Sequence, residues 1–213
     1  MSRWENYREL SKIRTYTYYD YMFKVAAYQF FGGDNKWALR LKAQGIQESG
    51  LTMTTNVGTG AYGVMQVMPA TFQDLTMGQL DPCDSYNNIM AGAAYMARLY
   101  YPGKRIAIRN KKGEVVNQFK GFAPLAMVAD DTERWKFALA GYNCGIGHIT
   151  GKKTGPCVWG MVRAKGGNVA LWDNCAPLLR LVTGDANARQ TLNYVSAIVT
   201  MAKWMEEAGE QLV

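Results

Sequence analysis

Three features of the sequence predict a mainly α-helical fold. Apolar residues recur at helical spacing through most of the chain, β-like alternation is confined to one short stretch, and Gly, Pro or Asn separates the periodic segments. With 213 residues and about half of them apolar, the chain can bury a core without a disulfide scaffold, and its composition is that of a globular protein.

Helices are expected near 4–14, 17–31, 35–49, 69–76, 87–100, 132–143, 157–164, 175–182 and 187–208. In the third, "NKWALRLKAQGIQESG", the steps of four, four and three from Trp37 to Leu41, Gly45 and Glu48 put all four on one face, and Gly50 is the stop signal. The segment 102–131 contains "RIAIRNKKGEVVNQF", two β-compatible runs flanking Lys112-Gly113, and reads as a hairpin insertion. The expected organisation is an N-terminal helical segment, 1–34, packed on a domain formed by 35–213 with the insertion near 102–131.

A net charge of +7 implies attraction to polyanions without choosing among nucleic acid, anionic lipid and acidic wall polymer. The densest basic cluster, Lys104, Arg105, Arg109, Lys111 and Lys112, reads as a solvated loop, and neither a recognition motif nor a basic helix stripe is visible, so no nucleic-acid partner is expected. The longest apolar runs, such as "FAPLAMVA", are too short for a transmembrane segment, and the first twenty residues contain no apolar core of a signal peptide. Cys83, Cys144, Cys157 and Cys175 show no C-x-x-C spacing and have only His148 for company, so no metal and no cofactor is expected. Disulfides and buried free thiols both remain open.

Glu48 is the residue on which the chemistry is expected to turn. A carboxyl group on an apolar helix face is costly to ionise, and the negative end of the helix dipole also disfavours its charge. Both effects should hold a proton on Glu48 near neutral pH and fit it to general-acid work. The alternative is an ordinary exposed glutamate at a helix end. Further on, Gly58, Gly60 and Gly63 spell G-x-G-x-x-G, but "LTMTTN" precedes them where a dinucleotide site needs an apolar strand, and Pro69 follows soon after. Nucleotide binding is rejected; these glycines instead imply backbone packed close to a ligand or another segment, beside Met65 and Gln66.

The motifs "QESG", "GAYGVMQVMPATF", "NNIMAGAAYMARL", "FALAGYNCGIGHI" and "TLNYV", in this order over roughly 35–200, resemble the family-1 lytic transglycosylases, whose fold is lysozyme-like, of the goose type. That resemblance implies an enzyme whose substrate is the glycan strands of peptidoglycan. Glu48 would protonate the bond between N-acetylmuramic acid and N-acetylglucosamine, then act as base while the muramoyl 6-hydroxyl closes a 1,6-anhydro ring. It further implies that Ser49 supports Glu48 by hydrogen bonding, that Met65 and Gln66 line the groove, that Tyr142 and Asn143 contact the sugars, and that Tyr194 helps hold the acid. Asn88, Ile89 and Gly92 read as structural, as does His148. Where family members commonly carry a serine, this chain has Val57, whose place Thr59, Thr55 or no residue would take.

A lone acid suits a substrate-assisted route, whereas most glycosidases use two carboxyl groups. Asp74, Asp81 and Asp84 remain possible partners of Glu48 in a hydrolytic muramidase, the first alternative; a wall-binding virion component without turnover is the second. The protein is expected to act as a monomer on the periplasmic or extracellular wall. Delivery by phage lysis proteins or a virion and export of a longer bacterial enzyme explain the sequence equally well.

Overall fold

The computed structural model describes residues 14–151 and 156–212. The helix expected at 4–14 therefore lies almost wholly outside the described residues. The order of elements is α1 (Arg14–Tyr18), α2 (Asp20–Phe31), α3 (Asn35–Ser49), α4 (Pro69–Thr76), α5 (Ser85–Tyr100), β1 (Arg105–Arg109), β2 (Val115–Lys120), a 3-10 turn (Ala123–Met127), α6 (Asp131–Ala140), a π-helical turn (Gly141–Gly145), α7 (Ile146–Thr150), α8 (Val158–Ala164), α9 (Trp172–Cys175), a 3-10 turn (Ala176–Leu178), α10 (Arg180–Thr183) and α11 (Asp185–Glu207). The fold is mainly α with one two-stranded hairpin. No helix among the described residues is long and apolar enough to cross a membrane.

The chain forms two compact units. Of the described residues, the first comprises 14–95, 106–119 and 198–212, and the second 96–105, 120–151 and 156–197. Segment 20–31 and helix 35–49 lie in the same unit.

At the centre of the first unit, α3 runs from its Asp34 cap, whose side chain accepts the Lys36 N–H at 2.9 Å, to Gly50, whose φ of 66° and N–H bond to the Ile46 carbonyl end it. Every residue from Trp37 to Ile46 is buried. The single apolar face expected from spacing is thus only part of a helix enclosed all round, polar residues included. Lys42 is fully buried, with Asp20 (2.9 Å) and Glu210 (2.8 Å) facing its Nζ and the Tyr16 ring 3.7 Å from it, so its burial is offset by two carboxyl partners. Trp37 stacks on Phe31 at 3.9 Å, fastening α2 to α3. Gly45 is where α3 is most closely approached: a Cβ there would stand 2.9 Å from Phe23 and 3.3 Å from both Leu51 and Val64.

The hairpin docks on the same unit through side-chain amides. Gln29 donates to the Ala107 carbonyl at 3.0 Å, and Asn117 donates to the carbonyls of Asp74 and Leu75. Lys111, read as part of a solvated basic loop, is indeed exposed, and it pairs with Asp84 at the surface.

In the second unit, α6 starts at an Asp130 cap and buries Trp135, Phe137 and Leu139; the Phe137 ring meets Trp159 and Trp172 edge to face at 5.9 and 5.4 Å. The helix expected to continue to residue 143 changes after Ala140 into the π turn, and the one expected at 175–182 is three short turns. Pro177 lies inside the middle turn, and Gly184, with φ of 81°, ends the last. All four cysteines are free thiols.

Candidate active site

Glu48 occupies the last turn of α3, half-buried, two residues before the Gly50 stop. The burial of α3 fixes where that turn ends. Ser49 adds a latch: its hydroxyl donates to the Val64 carbonyl at 2.9 Å and accepts the Thr52 N–H at 3.1 Å. Its single proton is therefore committed to backbone, so the Ser49 hydroxyl ties the helix end to the following loop.

That loop, 54–67, is folded back on itself by antiparallel bridges between Thr55 and Tyr62 and between Tyr62 and Val67. Asn88 on α5 clamps it, accepting the Met65 N–H at 2.9 Å and donating to the Tyr62 carbonyl at 3.0 Å. The structural role read for Asn88 is thus specific. It also explains Gly63, which has φ of 80° and on which a Cβ would lie 2.3 Å from the Asn88 amide. Of the three glycines, this one is packed as the sequence implied, against another segment.

Met65 departs from its expected place beside the groove. It is wholly buried and presents no surface to a sugar, because the clamp on its backbone turns the side chain into the core. Gln66 is half-buried at φ of 44°, and its amide nitrogen donates to the carbonyls of Thr54 (3.0 Å) and Gly63 (2.8 Å). That end of Gln66 holds the turn together, offsetting backbone strain at a non-glycine residue. Val57 lies at the loop tip, 97% exposed, while the Thr59 hydroxyl accepts the Ala61 N–H.

Of the three aspartates weighed as second carboxylates, two are tied locally. Asp81 accepts the Cys83 N–H at 2.8 Å. Asp84 accepts the Asn87 N–H and pairs with Lys111; burial acts to raise its pKa, but those bonds outweigh it and hold the carboxyl below its ordinary range. A carboxylate so stabilised is a weak base.

In the second unit, Tyr142 and Asn143 sit on the π turn, both half-buried. Such turns widen the helix by one residue and frequently occur at functional sites. Gly141 makes room for this one, since a Cβ there would stand 3.0 Å from Ile146. Asn143 is hydrogen-bonded to Thr191 of α11 at 2.8 Å. His148, read as structural, lines a pocket with Asn143. Tyr194, three residues beyond Thr191 on α11, is 5% exposed.

Residues 35–155, more than half of the chain, match the family model described as the transglycosylase SLT domain. The chain belongs to this SLT family. It is also similar to the membrane-bound lytic murein transglycosylase F of Shewanella halifaxensis (strain HAW-EB4), at 24% identity over 184 residues. That alignment covers 81% of this chain and 32% of the relative, so the chain spans about a third of that relative's length. The SLT match includes Glu48, Ser49, Met65, Gln66, Tyr142 and Asn143, and stops short of Tyr194. SLT domains are lysozyme-like, which agrees with the mainly helical fold. Asn187 and Gln190 escaped sequence reasoning because they belong to no motif, and Thr191, the first residue of "TLNYV", was passed over for Tyr194; only their helical register with Tyr194 was there to be read.

Proposed function

We propose that this chain is a lytic transglycosylase that cleaves peptidoglycan glycan strands, with residues 35–213 as the catalytic domain and Glu48 as its acid and then its base. The observation that carries this reading is the placement of Glu48: half-buried, in the last turn of a helix enclosed on every side, where the carbonyl end of the helix disfavours a second negative charge. Family membership and the lytic murein transglycosylase relative support the substrate class.

In the proposed reaction Glu48 gives its proton to the glycosidic oxygen between N-acetylmuramic acid and N-acetylglucosamine, and the C–O bond breaks as the glucosaminyl alcohol leaves. The neighbouring acetamido group stabilises the cationic carbon. The muramoyl 6-hydroxyl oxygen then bonds to that carbon, and its proton returns to Glu48. Because the nucleophile is part of the bound sugar, ring closure has the advantage of an intramolecular reaction. Gln66, Tyr142 and Asn143 are proposed as substrate contacts, Ser49 and the buried Met65 as residues that position the site, and Tyr194 as support for the acid.

Mass analysis of the soluble products from purified peptidoglycan tests the reading. Anhydro ends are lighter than reducing ends by one water. Reducing muramic acid carrying labelled solvent oxygen would make the chain a hydrolytic muramidase instead.

A further inference from the structure

A cavity of about 450 Å³ in the first unit is walled in part by the loop that follows Glu48, and no role has been assigned to it above. Tyr62, Val67, Phe72, Leu80, Pro82 and Cys83 line it. Tyr62 and Val67 are bridged residues of the folded-back loop, Phe72 comes from α4, and the other three belong to the segment before α5. Asn88 also lines the cavity, and both ends of its amide are committed to the loop backbone. The walls are thus mostly apolar and held from behind.

Polar groups enter from one stretch of chain. The Tyr62 hydroxyl and the Cys83 thiol are hydrogen-bonded, and that bond is the first cause holding the hydroxyl above its ordinary range, followed by burial and by repulsion from Cys83 and Asp81. The Asp81 carboxylate, between the lining residues Leu80 and Pro82, is therefore within electrostatic reach of the cavity wall. One of its oxygens accepts the Cys83 N–H at 2.8 Å, and the other has no partner among the described residues. Asp84, three residues on, is already matched by Lys111.

We infer that this cavity binds the side chain of the diamino acid in an uncrosslinked stem peptide, with the alkyl chain against Tyr62, Val67, Phe72 and Leu80 and the free ammonium group at Asp81. The inference rests on the peptidoglycan reading above and makes the stem amine a determinant of specificity. Both parts of this ligand are matched. The alkyl chain leaves water for apolar walls while its charged end stays at the exposed rim, and there the ammonium meets an open carboxylate oxygen. A sugar ring would instead set its hydroxyls against Val67, Phe72 and Leu80 without partners. Cross-linking turns the stem amine into an amide and removes its charge, so the cavity distinguishes free stems from cross-linked ones. Ser49 ties the end of α3 to Val64, so a stem held at Tyr62 and Val67 is held on the loop seated against the Glu48 turn.

The test uses the full chain and the Asp81→Asn variant, whose side-chain oxygen can still accept the Cys83 N–H. The substrates are soluble uncrosslinked glycan strands with their stem amines either free or acetylated. For the parent, acetylation should raise KM about fivefold, the effect of losing one exposed ion pair, with little change in kcat. For Asp81→Asn the two substrates should share one KM, at a Tm near the parent's. In parallel, an N-terminally capped tripeptide of alanine, γ-linked glutamate and diaminopimelate should shift the methyl NMR signals of Val67 and Leu80, and the same peptide with its remaining amine acetylated should do so only at higher concentration. Equal KM values for the parent overturn the inference, as does a variant that still tells the substrates apart or a tripeptide that leaves both methyl signals in place. If the parent releases no sugar from any peptidoglycan, the catalytic reading fails, and the tripeptide titration alone then decides the cavity.

Discussion

The side-chain amide of Asn88 fills the space in which a Cβ on Gly63 would stand, 2.3 Å from that position. The same amide holds the Met65 N–H and the Tyr62 carbonyl, so one substitution disturbs both bonds. Gly63→Ala should cost roughly 2–4 kcal/mol, from a strained positive φ and the displaced clamp. Asn88→Ala should cost roughly 1–3 kcal/mol, and the double variant much less than the sum, since both changes remove the same contacts. Urea denaturation of the four proteins measures this; additive losses would show that the two residues act independently.

Glu48→Gln should fold like the parent and lose roughly 10²–10⁴-fold in glycan cleavage, because an amide keeps the shape of the acid but cannot deliver its proton. The comparison of turnover and Tm checks both halves of the statement. Cleavage within a few-fold of the parent would remove Glu48 from the mechanism.

Lys42 is surrounded by Asp20, Glu210 and the Tyr16 ring, and its loss strands a buried carboxylate. Lys42→Met should therefore destabilise the fold by about 3–5 kcal/mol, as removal of one partner from a buried pair does. Equilibrium unfolding reads the change, and a cost of less than ~1 kcal/mol would mean that the pair is as weak as one at the surface.

Burial pushes the Asp20 carboxyl above its ordinary 3.8; the Lys42 hydrogen bond and charge oppose this, and Glu210 adds to it. The native protein thus holds this proton more tightly than the unfolded chain. The stability contributed is complete below 3.8 and is lost as pH rises through the raised value. A carboxyl NMR titration should give a midpoint above 3.8 for Asp20, and the stability of the parent relative to Asp20→Asn should fall as pH rises across that window. A midpoint at or below 3.8 contradicts the prediction.

Cys175 and Cys83 should differ sharply toward a thiol reagent. Burial, with the Glu133 carboxylate second, pushes the Cys175 thiol up to about 12, so almost no thiolate is present in mildly alkaline buffer. Cys83 is exposed. In the folded protein Cys83 should be modified quickly and Cys175 only after denaturant is added, as mass spectrometry of labelled peptides would show. Rapid labelling of native Cys175 would mean that its burial is transient.

The sequence by itself determined the helical class, the bounds of α3 and α4, the hairpin around Lys112-Gly113 and the stop at Gly50, because periodicity, Pro and Gly act over a few residues of chain. Its motif order also pointed to the SLT family. What required tertiary structure was the use of each polar group. Spacing showed α3 with one apolar face, but packing enclosed it, and Lys42 is buried only because Asp20 and Glu210, far apart in sequence, converge on it. Ser49 and Met65 have the same motif neighbours in either role; that the Ser49 hydroxyl turns to Val64 and Met65 turns inward follows from the Asn88 clamp and the folded-back loop. The π turn that carries Tyr142 and Asn143, and the α11 residues lining the pocket beside Asn143, were likewise settled by contacts between segments remote in the chain, which no local pattern encodes.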